Sequence, residues 1–143
     1  ATLEDAAAWG AMRCALWPDE TGVGDVEEMN DALERNGGAV AFLALDDRGS
    51  AIGFAEATVR REYVNGTDTS PVGFLEGWFV RPEWRGRGIG RAIVESVEDW
   101  TRMRGCCELA SDTWLDSTDS QQAHRHCGFE ETERIVCFRK RLA

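Results

Sequence analysis

Arg85-Gly86-Arg87-Gly88-Ile89-Gly90 decides the reading of this chain through what stands on either side of it. The apolar run FLEGWFV (Phe74 to Val80) and a turn at Pro82 come before it. Ile89, Ile93, Val97, Trp100 and Met103 recur at helical spacing after it. The glycines therefore sit where a strand hands over to a helix. The first turn of a helix offers unpaired N–H groups and the positive end of the dipole. Glycine lets the backbone curl closely around a ligand, and Arg85, Arg87 and Arg91 add positive charge. The stretch reads as a pyrophosphate site formed by Arg85, Gly86, Arg87, Gly88, Ile89, Gly90 and Arg91.

Two other phosphate loops fit badly. A dinucleotide-binding turn needs G-x-G-x-x-G opening a βαβ unit, with an acidic residue about 20 positions on. Here the spacing is G-x-G-x-G, deep in the chain, and Glu108 matches poorly. A P-loop needs Gly-Lys-Ser/Thr, and the only lysine is Lys140. A tight Gly/Arg surface turn without a ligand is the plain alternative. The arrangement resembles motif A of the GCN5-related N-acetyltransferase (GNAT) superfamily, R/Q-x-x-G-x-G/A, matched at Arg85, Gly88 and Gly90. The resemblance implies that the loop holds the pyrophosphate of acetyl-coenzyme A.

The bulk numbers agree with one folded domain over residues 1–143. The chain has 143 residues, 43% hydrophobic, enough for a real core. No apolar run reaches membrane-spanning length, and no signal peptide opens the sequence. The five cysteines are odd in number and contain no C-x-x-C pair, so reduced thiols in a cytoplasm are expected rather than a disulfide framework or structural zinc. Net charge is −10, which disfavours nucleic acid and favours a cationic partner. Many of the acids crowd Asp19 to Glu34, where a solvated helix face explains most of them.

Periodicity and breakers predict a helix from Leu3 to Trp17, stopped by Pro18, and a short helix from about Asp25 to Arg35. Strands are predicted at Ala39–Leu45 and Ala51–Val59, joined by a hairpin loop at Asp46–Gly49. A polar loop from Arg61 to Pro71 leads into the Phe74–Val80 strand. A helix from Gly88 to Arg104, a strand at Cys107–Ala110, a helix from Ser117 to His126 and one or two strands within Phe129–Arg139 complete the series. The layout is α/β with a mixed sheet and about four helices. The GNAT resemblance adds splayed central strands and a short N-terminal strand before the first helix, apparently missing here.

Glu76 and Gly77 interrupt an otherwise apolar strand, and a glycine there marks a bulge or a close backbone approach. By the resemblance, the pantetheine arm of the coenzyme lies beside this strand. It pairs with the main chain of Trp78, Phe79 and Val80, which would also polarise the thioester carbonyl. Those three residues are otherwise plain core, and both readings can hold together.

The segments LWPD (Leu16–Asp19), REYVNG (Arg61–Gly66), SPVGFLEG (Ser70–Gly77), ELASDT (Glu108–Thr113) and GFEETERI (Gly128–Ile135) are similar, in order, to those of aminoglycoside 6′-N-acetyltransferases. That resemblance implies a polycationic acceptor, antibiotic resistance as the activity and, commonly, a homodimer. The candidate acceptor residues are Trp17, Glu20, Tyr63, Glu76, Asp112 and Glu133. Glu76 stands out on sequence grounds, because a carboxylate amid Phe74, Leu75, Trp78 and Phe79 is costly to bury without a partner or a task. An ion pair with a nearby arginine is its alternative explanation. Asp112 could simply cap the next segment, and Trp17 could be a packing residue.

The reaction expected is direct attack of the amine on the thioester in a ternary complex, with Glu76 as base, directly or through water, and Asp112 among the catalytic candidates. Relatives often place a tyrosine four residues before the Gly-Phe of the last helix as the acid for the leaving thiol. Here that position is His124, either a substitute acid or a helix residue without a catalytic part. Ser117 stands where relatives often carry an asparagine facing the coenzyme. No metal is expected, since His124, His126 and Cys127 cannot all face one ion. The rivals are an acetyltransferase for polyamines or protein amines and a catalytically inactive acyl-coenzyme A sensor.

Overall fold

The computed structural model describes residues 5–20, Asp31 and 38–142. The chain divides into two compact units, residues 1–112 and 113–143. The first is built on β1 (Ala39–Leu45), β2 (Ala51–Arg60), β3 (Val72–Val80) and β4 (Leu109–Ser111), in that spatial order. The first three strands are antiparallel neighbours, and β4 runs parallel to β3. The mixed α/β sheet expected from the sequence is therefore present. At the β1–β2 loop, Asp46 Oδ1 accepts the N–H groups of Arg48 and Ser50, both at 2.9 Å, and Gly49 takes a φ of 81°. That conformation is open to glycine at no steric cost.

Helix α1 (Ala6–Leu16) is alanine-rich and stops before Pro18, which has no N–H to continue it. Its Trp9 and Met12 are buried with Ala41 and Phe54 of the sheet. Helix α2 (Ile89–Met103) covers the opposite face. Adjacent residues of a strand point to opposite sides: Phe54 packs into the α1 cluster, whereas a Cβ at Gly53 would meet Ile93 Cδ1 at 3.1 Å. The buried face of α2 is Ile93, Val94, Val97, Trp100 and Thr101, the stripe its spacing predicts. Each large apolar side chain in that stripe contributes about 1.5–3 kcal/mol of burial.

The second unit carries α3 (Thr118–His126). The described residues thus contain three α-helices; the helix expected at Asp25–Arg35 lies outside them except for Asp31. The strands expected within Phe129–Arg139 do not form: residues 129–142 contain neither helix nor strand. A strand is held by the hydrogen bonds of a neighbour, and the four-stranded sheet includes none of this segment. Its apolar side chains are left in solvent, Val136 at 73% and Phe138 at 93% exposure. The strand expected at Cys107–Ala110 is also shifted and shortened to Leu109–Ser111.

Candidate active site

β3 is irregular where Glu76 and Gly77 interrupt its apolar run. Glu56 of β2 faces Gly77 and Ala57 faces Leu75, so Glu76 is the extra residue of a β-bulge. Pairing with β4 stops one residue earlier, at Leu75–Ser111, where Ser111 Oγ also donates to Leu75 O at 3.2 Å. From Glu76 to Val80 the strand continues beside β2, and among the described residues no strand lies on its other edge. This is the splaying expected of the sheet: main-chain groups line a gap into which an extended ligand could add like a strand.

That gap leads to the glycine loop. Gly86 and Gly88 have φ of 75° and 82°, and a Cβ on either would meet nothing within 4 Å. Their requirement is the left-handed backbone, not space. Gly90 differs, because a Cβ there would meet the Trp78 ring at 3.1 Å; its missing side chain lets α2 approach β3. The first bond of α2 runs from Ala92 N–H to Gly88 O at 3.1 Å, so the earlier N–H groups of Ile89, Gly90 and Arg91 emerge at the helix end. Arg85 donates from Nε to Val80 O at 2.8 Å, with its guanidinium 5.5 Å from the centre of the Phe79 ring. Arg87 lies against Trp84 and donates to Glu83 O at 3.3 Å. A left-handed glycine turn, a helix N-terminus and exposed arginines at the end of an open strand edge suit a coenzyme diphosphate.

Glu76 is tightly partnered. Its Oε1 accepts from Thr58 Oγ1 (2.6 Å), Arg60 Nη2 (2.8 Å) and Arg60 Nε (3.2 Å), and its Oε2 accepts from Arg60 Nη2 (2.9 Å). The ion pair raised as an alternative is thus present. Arg60 is held in turn over the Phe74 ring, 3.5 Å from its centroid.

A second carboxylate, which sequence reasoning missed, lies on the same face of β2. Glu56 is 1% exposed and accepts from Trp9 Nε1 at 2.8 Å. Arg13 Nε stands 3.2 Å from the same oxygen without hydrogen-bond geometry, so it acts as a charge neighbour. Burial pushes the Glu56 carboxyl up from 4.5 to about 7, against the lowering pull of Arg13 and the Trp9 N–H, with Glu76 adding a smaller upward push. The available signal was the shared parity of Glu56, Thr58 and Arg60 in one strand, but a single strand does not reveal its neighbour.

Trp17 packs close against the bulge: a Cβ at Gly77 would lie 2.4 Å from its Cη2. It also meets Phe54 edge-on at 6.3 Å, with Arg13 5.5 Å from its ring centre. It is therefore a packing residue, set against Gly77, the residue that follows Glu76 in β3. Glu20 is exposed just beyond it. Tyr63 is 77% exposed on a loop that Val64 anchors in an apolar cluster with Val72 and Phe74. Glu108 pins the far end of that loop, accepting from the N–H groups of Asp68 (3.0 Å) and Thr69 (2.7 Å) and from the Thr69 hydroxyl. The Thr69 hydroxyl is the main cause holding the Glu108 carboxyl below its ordinary range. Asp112 is exposed one residue past the end of β4.

The second unit carries the remaining candidates. Ser117 occupies the N-cap position of α3 without a side-chain cap bond. His124 Nδ1 lies 2.7 Å from Ser120 O, which can only accept, so that nitrogen carries a proton. The ring packs edge-on against Phe129 at 5.2 Å. Glu133 is exposed in the segment without regular structure. Among the described residues, no group of three His, Cys, Asp or Glu side chains could hold a metal ion.

Comparison with known proteins agrees with this geometry. The Acetyltransferase (GNAT) family matches residues 8–129. An aminoglycoside N(6′)-acetyltransferase type 1 from Stenotrophomonas maltophilia is 53% identical, over 99% of this chain and 91% of that protein. The protein of the same name from Salmonella typhimurium is 46% identical, over 93% and 90%. The structure of AAC(6′)-Iy with the bisubstrate analogue CoA-S-monomethyl-acetylneamine superposes with a TM-score of 0.89 at 42% identity, over 97% of this chain and 93% of that one. AAC(6′)-Ih from Acinetobacter baumannii gives 0.91 at 43% identity, over 100% and 96%. The open β3 edge, the glycine loop at the head of α2 and this likeness along nearly the whole sequence have one explanation: the chain belongs to the GNAT acetyltransferase family, among the aminoglycoside N(6′)-acetyltransferases.

Proposed function

We infer that this chain, as one acetyltransferase domain over residues 1–143, moves an acetyl group from acetyl-coenzyme A to the 6′-amino group of aminoglycosides, a resistance activity. The observation that carries the mechanism is the bulge that sets Glu76 at the level where β4 ends and the β3 edge opens. Acetyl-coenzyme A, when bound, supplies the acetyl group activated as a thioester. The residues that would hold it are the main chain of Trp78, Phe79 and Val80 and the loop Arg85–Arg91. The left-handed turns at Gly86 and Gly88 and the end of α2 support this reading, and Ser117 is the further candidate contact.

In the acceptor step, Glu76 takes the proton that the ammonium must lose before its nitrogen can attack, directly or through one water. The attack forms the amide C–N bond and breaks the C–S bond. Trp17 offers an aromatic wall, and Glu20, Tyr63, Asp112 and Glu133 are the further acceptor candidates. An array is needed, since exposed ion pairs each contribute less than about 1 kcal/mol. His124 is the candidate donor to the leaving thiolate, and with Nδ1 on Ser120 O that proton would come from Nε2.

The cytoplasm is the compartment this reading calls for, where thiols stay reduced, as all five cysteines are free. No helix among the described residues is long and apolar enough to cross a membrane. With a net charge of −10 the chain is unsuited to nucleic acid. We also propose a homodimer, in which Ile135-Val136-Cys137-Phe138 pairs with a second copy; the exposure of these apolar side chains supports it.

The test is release of free coenzyme A thiol with purified protein. Turnover with kanamycin or tobramycin is expected. Turnover with spermidine or peptides alone would favour a polyamine or protein acetyltransferase, and binding of the coenzyme without any turnover would favour a sensor.

A further inference from the structure

Arg60 is not explained by the acetyl-transfer reading, yet it contacts the carboxylate on which that reading turns. Its stem rises from the end of β2, its guanidinium lies over Phe74, and its charge meets Glu76 with side-chain exposures of 43% and 30%. The two oxygens of Glu76 are held unequally. Oε1 is tethered by Thr58 Oγ1 as well as by Arg60 Nε and Nη2, whereas among the described residues Arg60 Nη2 is the one donor on Oε2. Exchanging a single bond therefore opens Oε2 while Thr58 keeps the carboxylate in place.

We propose that Arg60 is a positioning and selectivity residue that stands in for the acceptor's ammonium, holding Glu76 until a cation displaces it from Oε2. A half-buried carboxylate with no counter-charge is unfavourable, and Arg60 meets that need when no acceptor is present. A cationic amine restores the neutrality that Arg60 gives up. A neutral sugar offers no charge in exchange, so Arg60 stays and the carboxylate remains closed. Selection for ammonium at this point thus follows from competition between two cations of equal charge, one tethered to the protein. Partial exposure keeps the pair weak enough to exchange, and the Phe74 ring, already 3.5 Å from the guanidinium, holds Arg60 nearby when it leaves Oε2. The proposal rests on Glu76 lying in the acceptor site.

The experiment is calorimetric titration of kanamycin into the coenzyme A complex of four proteins: wild type, Arg60→Met, Glu76→Gln and the double variant. Methionine retains the apolar stem over Phe74 and removes the charge. Arg60→Met is expected to bind kanamycin about three- to tenfold more tightly than wild type. The gain should vanish in the Glu76→Gln background, and the Michaelis constant for acetyl-coenzyme A should not change. A structural role alone predicts weaker or equal binding in Arg60→Met, and either result overturns the proposal, as does a gain that persists without Glu76. If Arg60→Met does not fold, Arg60→Gln carries the same expectation. Turnover separates this claim from the base assignment. An undiminished kcat in Glu76→Gln removes Glu76 as base, while the coupling between positions 60 and 76 still decides the role of Arg60. Absence of kanamycin binding in all four proteins overturns both.

Discussion

At the scale of single residues, the centre of the first unit is a pair of neighbouring carboxylates, Glu56 and Glu76, each with its own arginine, Arg13 of α1 and Arg60 of β2. Glu56 has the more extreme setting. Its carboxyl titrates near 7 rather than 4.5, chiefly because burial penalises the charged form. A group that holds its proton more tightly when folded favours the fold at low pH. Its contribution is fully present below 4.5 and is lost as pH rises through about 7. The whole span corresponds to on the order of 3 kcal/mol. Urea unfolding measured from pH 5 to pH 8 should therefore show stability falling across that window, and Glu56→Gln should flatten the fall. A wild-type profile that rises through the window would refute the assignment. Glu76 stands out in sequence as a charge in an apolar strand, but the identity of its partners depends on which residues of β2 lie opposite.

At the scale of elements, the bulge in β3 and the end of α1 form one device. As the extra residue of the bulge, Glu76 meets Thr58 and Arg60 of β2. Gly77, beside it, leaves room for the Trp17 indole to lie against the strand. Gly77→Ala would place a Cβ 2.4 Å from Trp17 Cη2, and the indole, confined by Phe54 and Arg13, must shift. Overpacking of this kind costs about 1–3 kcal/mol. A lowered melting temperature is expected, with a larger rise in the Michaelis constant for the aminoglycoside than for acetyl-coenzyme A. An unchanged melting temperature would show that Trp17 is not fixed there. The glycine loop is the best example of local legibility, since the left-handed φ of Gly86 and Gly88 is a property of the turn itself.

At the scale of the whole molecule, the segment from Phe129 to Leu142 is the main departure from expectation. Its apolar run Ile135–Phe138 reads as strand, yet among the described residues no strand pairs with it, and Ile135, Val136 and Phe138 are exposed. Such surface, with unsatisfied pairing capacity, suits association with a second copy. A stable interface buries about 1,200–2,000 Å² in total. Sedimentation at several concentrations should give a dimer, and the pair of changes Val136→Lys and Phe138→Glu should shift it to monomer. A monomer at every concentration would remove the proposed homodimer.

The strands β1, β2 and β3, the helices α1, α2 and α3, the hairpin at Asp46–Gly49 and the glycine turn before α2 were legible in the sequence alone. Each depends on local periodicity, on φ preferences or on residues that break an element, and these act over a few positions. The role of Glu76 was legible only as an anomaly. That Arg60 and Thr58 hold it, that Glu56 lies buried beneath Trp9, and that the last segment forms no strand were decided by tertiary structure. Cross-strand register, a one-residue bulge and the presence of a neighbour are properties of two segments brought together, and neither segment carries them by itself.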